Sequence, residues 1–123
     1  MRVGIDSVEI KRIAKSLSIK GFRERIFSEE EIQLLDGKAV QSYAANFAAK
    51  EAFSKAVGTG IRGFLWTDVS ILRDELGAPY LKLTGCALNA AKGLSFTVSL
   101  THTKDIATAI VIAYRGEECL ESV

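Results

Sequence analysis

Apolar positions in the first half of the chain recur at helical spacing, and in the second half they alternate. Arg2 to Ile5 predicts a short strand. After it, Ile10, Ile13, Ala14 and Leu17 share one helical face, while Lys11, Arg12 and Lys15 lie opposite. Gly21 breaks this helix, and Phe22 with Ile26 predicts a further short turn. Ser28 followed three residues later by Glu31 is a capping-box pattern, opening a helix through Ile32 and Leu35 that Gly37 closes. The longest helix is predicted over 40–57, with Ala45, Ala49, Ala52, Phe53, Ala56 and Val57 on one apolar face and Gly58 as its C-cap.

The period then changes. Val69 to Arg73 and Tyr80 to Thr84 predict two strands joined through a turn-rich loop, and Cys86 to Lys92 predicts a short helix ended by Gly93. Phe96, Val98, Leu100 and His102 alternate with Thr97, Ser99 and Thr101, the pattern of a strand. Thr103-Lys104-Asp105 turns into a last strand, Ile106 to Tyr114, and residues 115–123 are expected to form a frayed acidic tail. Helices first and strands later place the chain in the α+β class, and 123 residues suit one domain.

Composition narrows the function classes. Hydrophobic residues make up 48% and charged residues 25%, as in ordinary globular proteins. No apolar run approaches the ~20 residues of a membrane span, and the N-terminus carries no signal-peptide pattern. Cys86, Cys119 and a single histidine build neither a disulfide framework nor a zinc site, so a reduced, cytoplasmic setting is expected. The net charge of +1 is unevenly spread. Arg2, Lys11, Arg12, Lys15, Lys20, Arg23 and Arg25 outnumber Asp6, Glu9 and Glu24 in the first segment, and Glu29, Glu30, Glu31 and Asp36 follow. That basic segment suggests a localised acidic partner. Without interleaved aromatics it does not suggest nucleic acid.

Candidate chemistry centres on the long helix. Glu51 and Lys55 stack one turn apart beside Ala44 and Ala48, small side chains that leave room for a ligand. The plainer reading is a solvated ion pair at i,i+4. Asp6 stands where the first strand is expected to meet the first helix, so it serves as an N-cap with Glu9 at N3, as a cleft carboxylate, or as both. His102 ends a strand beside Thr101, Thr103 and Lys104, a donor set suited to a phosphate, although a lone strand-end histidine is often a structural residue. Gly58 and Gly60 are no P-loop: they follow a helix, whose C-terminal end repels anions. Phosphate binding there would rest on Lys55 and a divalent cation, and hard carboxylate oxygens suit magnesium.

These residues lie in blocks that resemble the small bacterial holo-acyl-carrier-protein synthases, a class of 4′-phosphopantetheinyl transferase. The blocks are Gly4-Ile5-Asp6-Ser7-Val8-Glu9-Ile10-Lys11-Arg12-Ile13, Phe47-Ala48-Ala49-Lys50-Glu51-Ala52-Phe53-Ser54-Lys55-Ala56 with Gly58-Thr59-Gly60-Ile61, Gly77-Ala78-Pro79, and Val98-Ser99-Leu100-Thr101-His102-Thr103. The resemblance implies an antiparallel sheet packed on a long helix. It implies transfer of phosphopantetheine from coenzyme A to a serine of apo-acyl carrier protein, releasing adenosine 3′,5′-bisphosphate. Magnesium would be held by Asp6 and Glu51. Coenzyme A would be contacted by Lys55, Gly58, Thr59, Gly60, His102 and Thr103. Glu51, directly or through water, is the candidate acceptor of the serine proton, with Lys55 beside it. A homotrimer with active sites between subunits is implied as well, and Arg12 and Arg25 are candidates to dock the acidic carrier. Relatives often carry arginine at the position of Asn46, so that nucleotide contact is not carried over. A non-catalytic carrier- or nucleotide-binding module and a magnesium-dependent phosphohydrolase are the alternatives.

Overall fold

The computed structural model describes residues 1–60 and 62–116; Ile61 and the expected tail from residue 117 onward lie outside the described residues. In chain order the elements are β1 (Arg2–Glu9), α1 (Ile10–Leu17), α2 (Phe22–Ile26), α3 (Glu29–Leu35), α4 (Val40–Val57), β2 (Val69–Arg73), β3 (Pro79–Leu83), α5 (Gly85–Ala90), β4 (Ser95–His102) and β5 (Ile106–Tyr114). The α+β class and the long helix stand as expected.

Helix α4 is the axis of the molecule. Its alanines combine high helix propensity with a thin body that neighbours approach closely. Gly58, at φ 84°, takes the left-handed conformation that ends the helix, and its N–H donates to the Ser54 and Lys55 carbonyls. The Arg2 guanidinium donates to the Val57 carbonyl at 3.0 Å, placing a cation at the negative end of the helix dipole.

Strands β1, β5 and β4 form an antiparallel sheet in that order, laid against α4. Gly4, Asp6 and Val8 stand opposite Val111, Ala109 and Ala107, which stand opposite Val98, Leu100 and His102. This row faces the helix, because directly opposed residues share a face. Strands β2 and β3 form a separate hairpin against α3, α4 and β4. Phe53 sits between the helix and both flanks, touching Phe64 and Phe96 at centroid distances of 5.4 and 5.1 Å.

Three local expectations are corrected. Strand β1 runs on to Glu9 because its whole length pairs with β5, so Asp6 lies within the sheet and is not the cap of α1. Glu9 occupies that cap without a side-chain bond, and the Ile10 N–H is met by the Asp105 carbonyl at 2.9 Å. Ala14 is exposed rather than part of the buried stripe. Ala44 and Ala48 are fully buried, because the sheet and the other helices close around α4, so they leave no room for a ligand.

Gly4 is where β1 crosses α4. A Cβ there would lie 1.9 Å from the Ala52 carbonyl oxygen and 2.8 Å from the Ala56 nitrogen, both backbone atoms that cannot turn aside. Gly4→Ala should therefore lower stability by about 3 kcal/mol or more, read from the urea midpoint. A wild-type midpoint would show that the strand lifts off the helix at no cost.

Candidate active site

The crossing of β1 over α4 brings the central candidates together. Asp6 projects from the helix-facing row, and the Lys55 ammonium lies 3.1 Å from its Oδ1 while donating to the Ile5 carbonyl at 2.9 Å. Lys55 thus bonds across to the sheet instead of along its own helix to Glu51, which replaces the expected i,i+4 pair. Glu51 is partly buried, and its carboxyl is held above the ordinary value of 4.5 by desolvation first and the Asp6 charge second. Lys55 and Arg12 pull in the other direction, so the Arg12 charge acts on Glu51 from the exposed face of α1. Two carboxylates and two cations therefore occupy one half-open site. Among the described residues no group of three or more His, Cys, Asp or Glu could hold a metal ion. A pair of hard oxygens does fit a cation that draws its other ligands from substrate phosphate and water.

The remaining candidates stand apart. Gly58, Thr59 and Gly60 lie beyond the end of α4 next to Arg2, at the first end of β1. Thr59 turns its hydroxyl to the Gly60 carbonyl at 2.8 Å. His102 lies at the far end of β4, opposite Ala107, which in turn faces Val8. Two strand spacings and one two-residue step separate it from Asp6, roughly 12 Å between Cα atoms. His102 is exposed, and its Nδ1 donates to the Thr103 carbonyl at 3.3 Å, leaving Nε2 for another partner. The Thr103 Oγ1 accepts from the Asp105 and Ile106 N–H groups at 3.2 and 3.1 Å, so much of its capacity holds the turn. Arg12 and Arg25 are both exposed on the first two helices.

His102 borders a cleft of about 360 Å³ between the start of α4, the β2–β3 hairpin and β4, whose lining includes Gln41, Ser42, Arg73, Gly77 and Pro79. Behind it lies a buried polar network that the sequence reading did not single out. The Lys50 ammonium donates to Glu31 Oε1 at 2.6 Å, to the Trp66 carbonyl at 3.0 Å and to the Val69 carbonyl. Burial pushes its pKa down, opposed by the Glu31 charge. Asn46 donates to Glu31 Oε2 at 2.9 Å and the Ile71 carbonyl at 3.0 Å, and accepts from Arg73 at 3.0 Å. The signal was present: Asn46 and Lys50 stand four residues apart, on one helical face, among the alanines and Phe47 of the helix's middle turns.

The chain that builds this crossing matches a known family. The sequence profile of the 4′-phosphopantetheinyl transferase superfamily matches residues 2–111. The chain belongs to that superfamily. Within it, the chain is 46% identical over 116 residues to the holo-[acyl-carrier-protein] synthase of Treponema denticola, covering 89% of this chain and 94% of that protein. The Helicobacter pylori holo-[acyl-carrier-protein] synthase, solved in complex with coenzyme A, superposes with a TM-score of 0.83 at 34% identity, covering 91% of this chain and 99% of that one. The Bacillus anthracis synthase, in complex with CoA (3′,5′-ADP), gives 0.81 at 34% identity, with coverage of 94% and 96%.

The raised Glu51 carboxyl makes a stability prediction. A carboxyl that keeps its proton to higher pH in the folded state than in the unfolded chain weakens folding as pH rises through that interval. Glu51→Gln should melt close to wild type at about pH 4, where glutamate is largely protonated in both states, and above wild type at pH 7. Thermal unfolding at the two pH values checks this. A gain of equal size at both would trace to packing instead of charge.

Proposed function

We propose that this protein transfers 4′-phosphopantetheine from coenzyme A to a serine of an apo-acyl carrier protein, releasing adenosine 3′,5′-bisphosphate. The observation that carries the reading is the meeting of Asp6, Glu51 and Lys55 at one crossing, in a chain whose relatives are named for this reaction. The serine oxygen forms a bond to the phosphorus bearing pantetheine. The diphosphate bond breaks, and the adenosine 3′,5′-bisphosphate leaves with the electron pair. Asp6 and Glu51 would hold magnesium, which would supply charge neutralisation of the diphosphate.

The chain's own groups take the remaining roles. Glu51 is the candidate acceptor of the serine proton, and burial beside a second carboxylate moves it toward the basicity that such a role needs. Lys55 supplies positive charge to the diphosphate. The Gly58–Gly60 loop, His102 and Thr103 are assigned to the nucleotide. His102 lies far from Asp6 within one chain, so a site that uses both is best completed across a subunit boundary, and we assign a homotrimer. The outer sheet face supports this assignment: Val3 and Ile5 are 55% and 56% exposed, beside the half-buried Ile110 and Ile112 of β5. One domain in the cytoplasm, serving fatty-acid synthesis, completes the reading. Among the described residues no helix is long and apolar enough to cross a membrane, and Cys86 is a free thiol.

Incubation with coenzyme A, magnesium and apo-acyl carrier protein, followed by intact-mass measurement, tests the function. A carrier that gains phosphopantetheine supports transfer. An unmodified carrier with intact coenzyme A points to a binding module, and coenzyme A breakdown without carrier points to a phosphohydrolase. Glu51→Gln should abolish the mass gain in a protein that remains folded; near-normal turnover at saturating magnesium would sink its assignment.

Arg12 and Arg25 are assigned to the acidic carrier. Arg12→Glu should raise the KM for carrier more than Arg12→Ala, since reversal adds repulsion to a lost contact, and salt should weaken the wild type toward it. Carrier kinetics unchanged at low salt in the Arg12→Glu, Arg25→Glu double variant would place docking elsewhere.

A further inference from the structure

The Gly58–Gly60 loop assigned to the nucleotide has few donors of its own to offer a phosphate. The Gly58 N–H donates to the Ser54 and Lys55 carbonyls at 3.1 Å, and the Gly60 N–H to the Ser54 carbonyl at 3.2 Å. The Thr59 hydroxyl is turned to the Gly60 carbonyl at 2.8 Å. These groups close the end of α4 instead of facing outward. The loop also follows a helix C-terminus, where the partial negative charge of the last carbonyls opposes an anion. Lys55 cannot make up the deficit alone, since two of its three N–H groups are taken by the Ile5 carbonyl and Asp6.

Arg2 has what the loop lacks. It stands in the helix-facing row of β1 with Gly4 and Asp6, opposite Ala113. Its guanidinium crosses to the end of α4 and donates to the Val57 carbonyl at 3.0 Å. The same nitrogen lies 3.0 Å from the place a Cβ would take on Gly58, so the bare glycine lets the fork lie against the loop. Arg2 is nevertheless exposed, and among the described residues no carboxylate lies within ion-pair distance of it. A guanidinium carries five N–H donors, and the bond to Val57 uses one, so most of the fork is open to an outside acceptor. Its charge offsets the helix dipole at the point where an anion would otherwise be repelled.

The position along the strand says which part of a ligand Arg2 can meet. Arg2 and Asp6 are four residues apart on β1, roughly 13 Å between Cα atoms. Lys55 is held at the Asp6 end and Arg2 at the other. A phosphate lying on Arg2 beside Gly58 is therefore not the one attacked between Asp6 and Glu51.

We propose that Arg2 is a substrate-binding residue whose guanidinium, laid against Gly58, takes a phosphate of the nucleotide half of coenzyme A at the end of α4. This rests on the phosphopantetheinyl-transfer reading for the identity of the ligand. A planar fork beside a loop with spent donors gives a phosphate two parallel hydrogen bonds that the loop backbone does not. The capping bond to Val57 then acts as the device that aims the fork.

The test is calorimetric binding to the full chain with magnesium present, comparing adenosine 3′,5′-bisphosphate with 4′-phosphopantetheine, which lacks the nucleotide half. Arg2→Gln keeps an N–H for the Val57 carbonyl and removes the charge. It should raise the Kd of the bisphosphate roughly fivefold or more and leave 4′-phosphopantetheine within about twofold. The bisphosphate Kd of the variant should also depend less on salt than that of the wild type. If Arg2→Gln does not fold, Arg2→Lys, which keeps the charge without the fork, should still weaken the bisphosphate by about threefold. A lowered melting temperature with both Kd values unchanged would mark Arg2 as a helix cap alone and overturn the proposal, as would equal weakening of both ligands. Arg2-dependent bisphosphate binding in a protein that transfers nothing to the carrier would sustain the phosphate contact and overturn the transfer reading. Transfer by a chain whose bisphosphate binding ignores Arg2 would do the opposite.

Discussion

Strand β1 crosses α4 in near-atomic contact at Gly4, where no side chain larger than hydrogen fits above the Ala52 carbonyl. The rest of the architecture follows from this contact. It holds the sheet flat against the helix, and alternation in the strand then carries Asp6, two residues on, to the same helix-facing row. There Asp6 meets Lys55, and its charge adds to the desolvation that holds the Glu51 carboxyl above its ordinary value. A slip of one residue in the strand would turn Asp6 outward and separate the carboxylates. Packing and chemistry share one constraint, and the small residues that permit close approach also set the geometry of the charges.

A second constraint lies inside. Lys50 and Glu31 form a fully buried ion pair, a costly arrangement unless every remaining donor and acceptor is matched. Here the match is complete: among the described residues no buried side-chain nitrogen or oxygen lacks a partner. The Lys50 ammonium also lies 5.7 Å from the centroid of the Phe27 ring. The network joins α3, α4 and β2, three elements that share few other polar contacts, and so fixes how the hairpin sits on the helix. Because its charges cancel, the interior stays neutral while the adjoining clefts keep an uncancelled Arg73.

The chemistry-bearing residues do not converge on one point. Asp6 lies mid-sheet against Glu51 and Lys55 of α4, Gly58–Gly60 near the start of β1, and His102 with Thr103 at the end of β4. The sheet's outer face leaves Val3 and Ile5 largely uncovered. On the proposed trimeric reading these two features are one: burial of that face would bring copies together and place one copy's strand-end groups near another's carboxylates.

The sequence by itself determined most of the local structure. Helix α4 and strands β2 and β5 have the boundaries their patterns predict, because alanine propensity, a left-handed glycine and strict alternation are local effects. The capping box of Ser28 and Glu31 formed for the same reason. Asp6, Glu51 and Lys55 were legible as candidates through composition and resemblance. Only tertiary structure decided what those groups touch. Pairing with β5 drew β1 on through Glu9 and took Asp6 out of the cap. The covering of α4 on all sides buried Ala44 and Ala48, and the sheet captured Lys55 from its helical neighbour. Asn46 and Arg73 are 27 positions apart and met only when the hairpin folded onto the helix. Periodicity reports which face a residue takes, but the partner on that face is chosen by elements distant in sequence, and its effect on charge depends on the burial they impose.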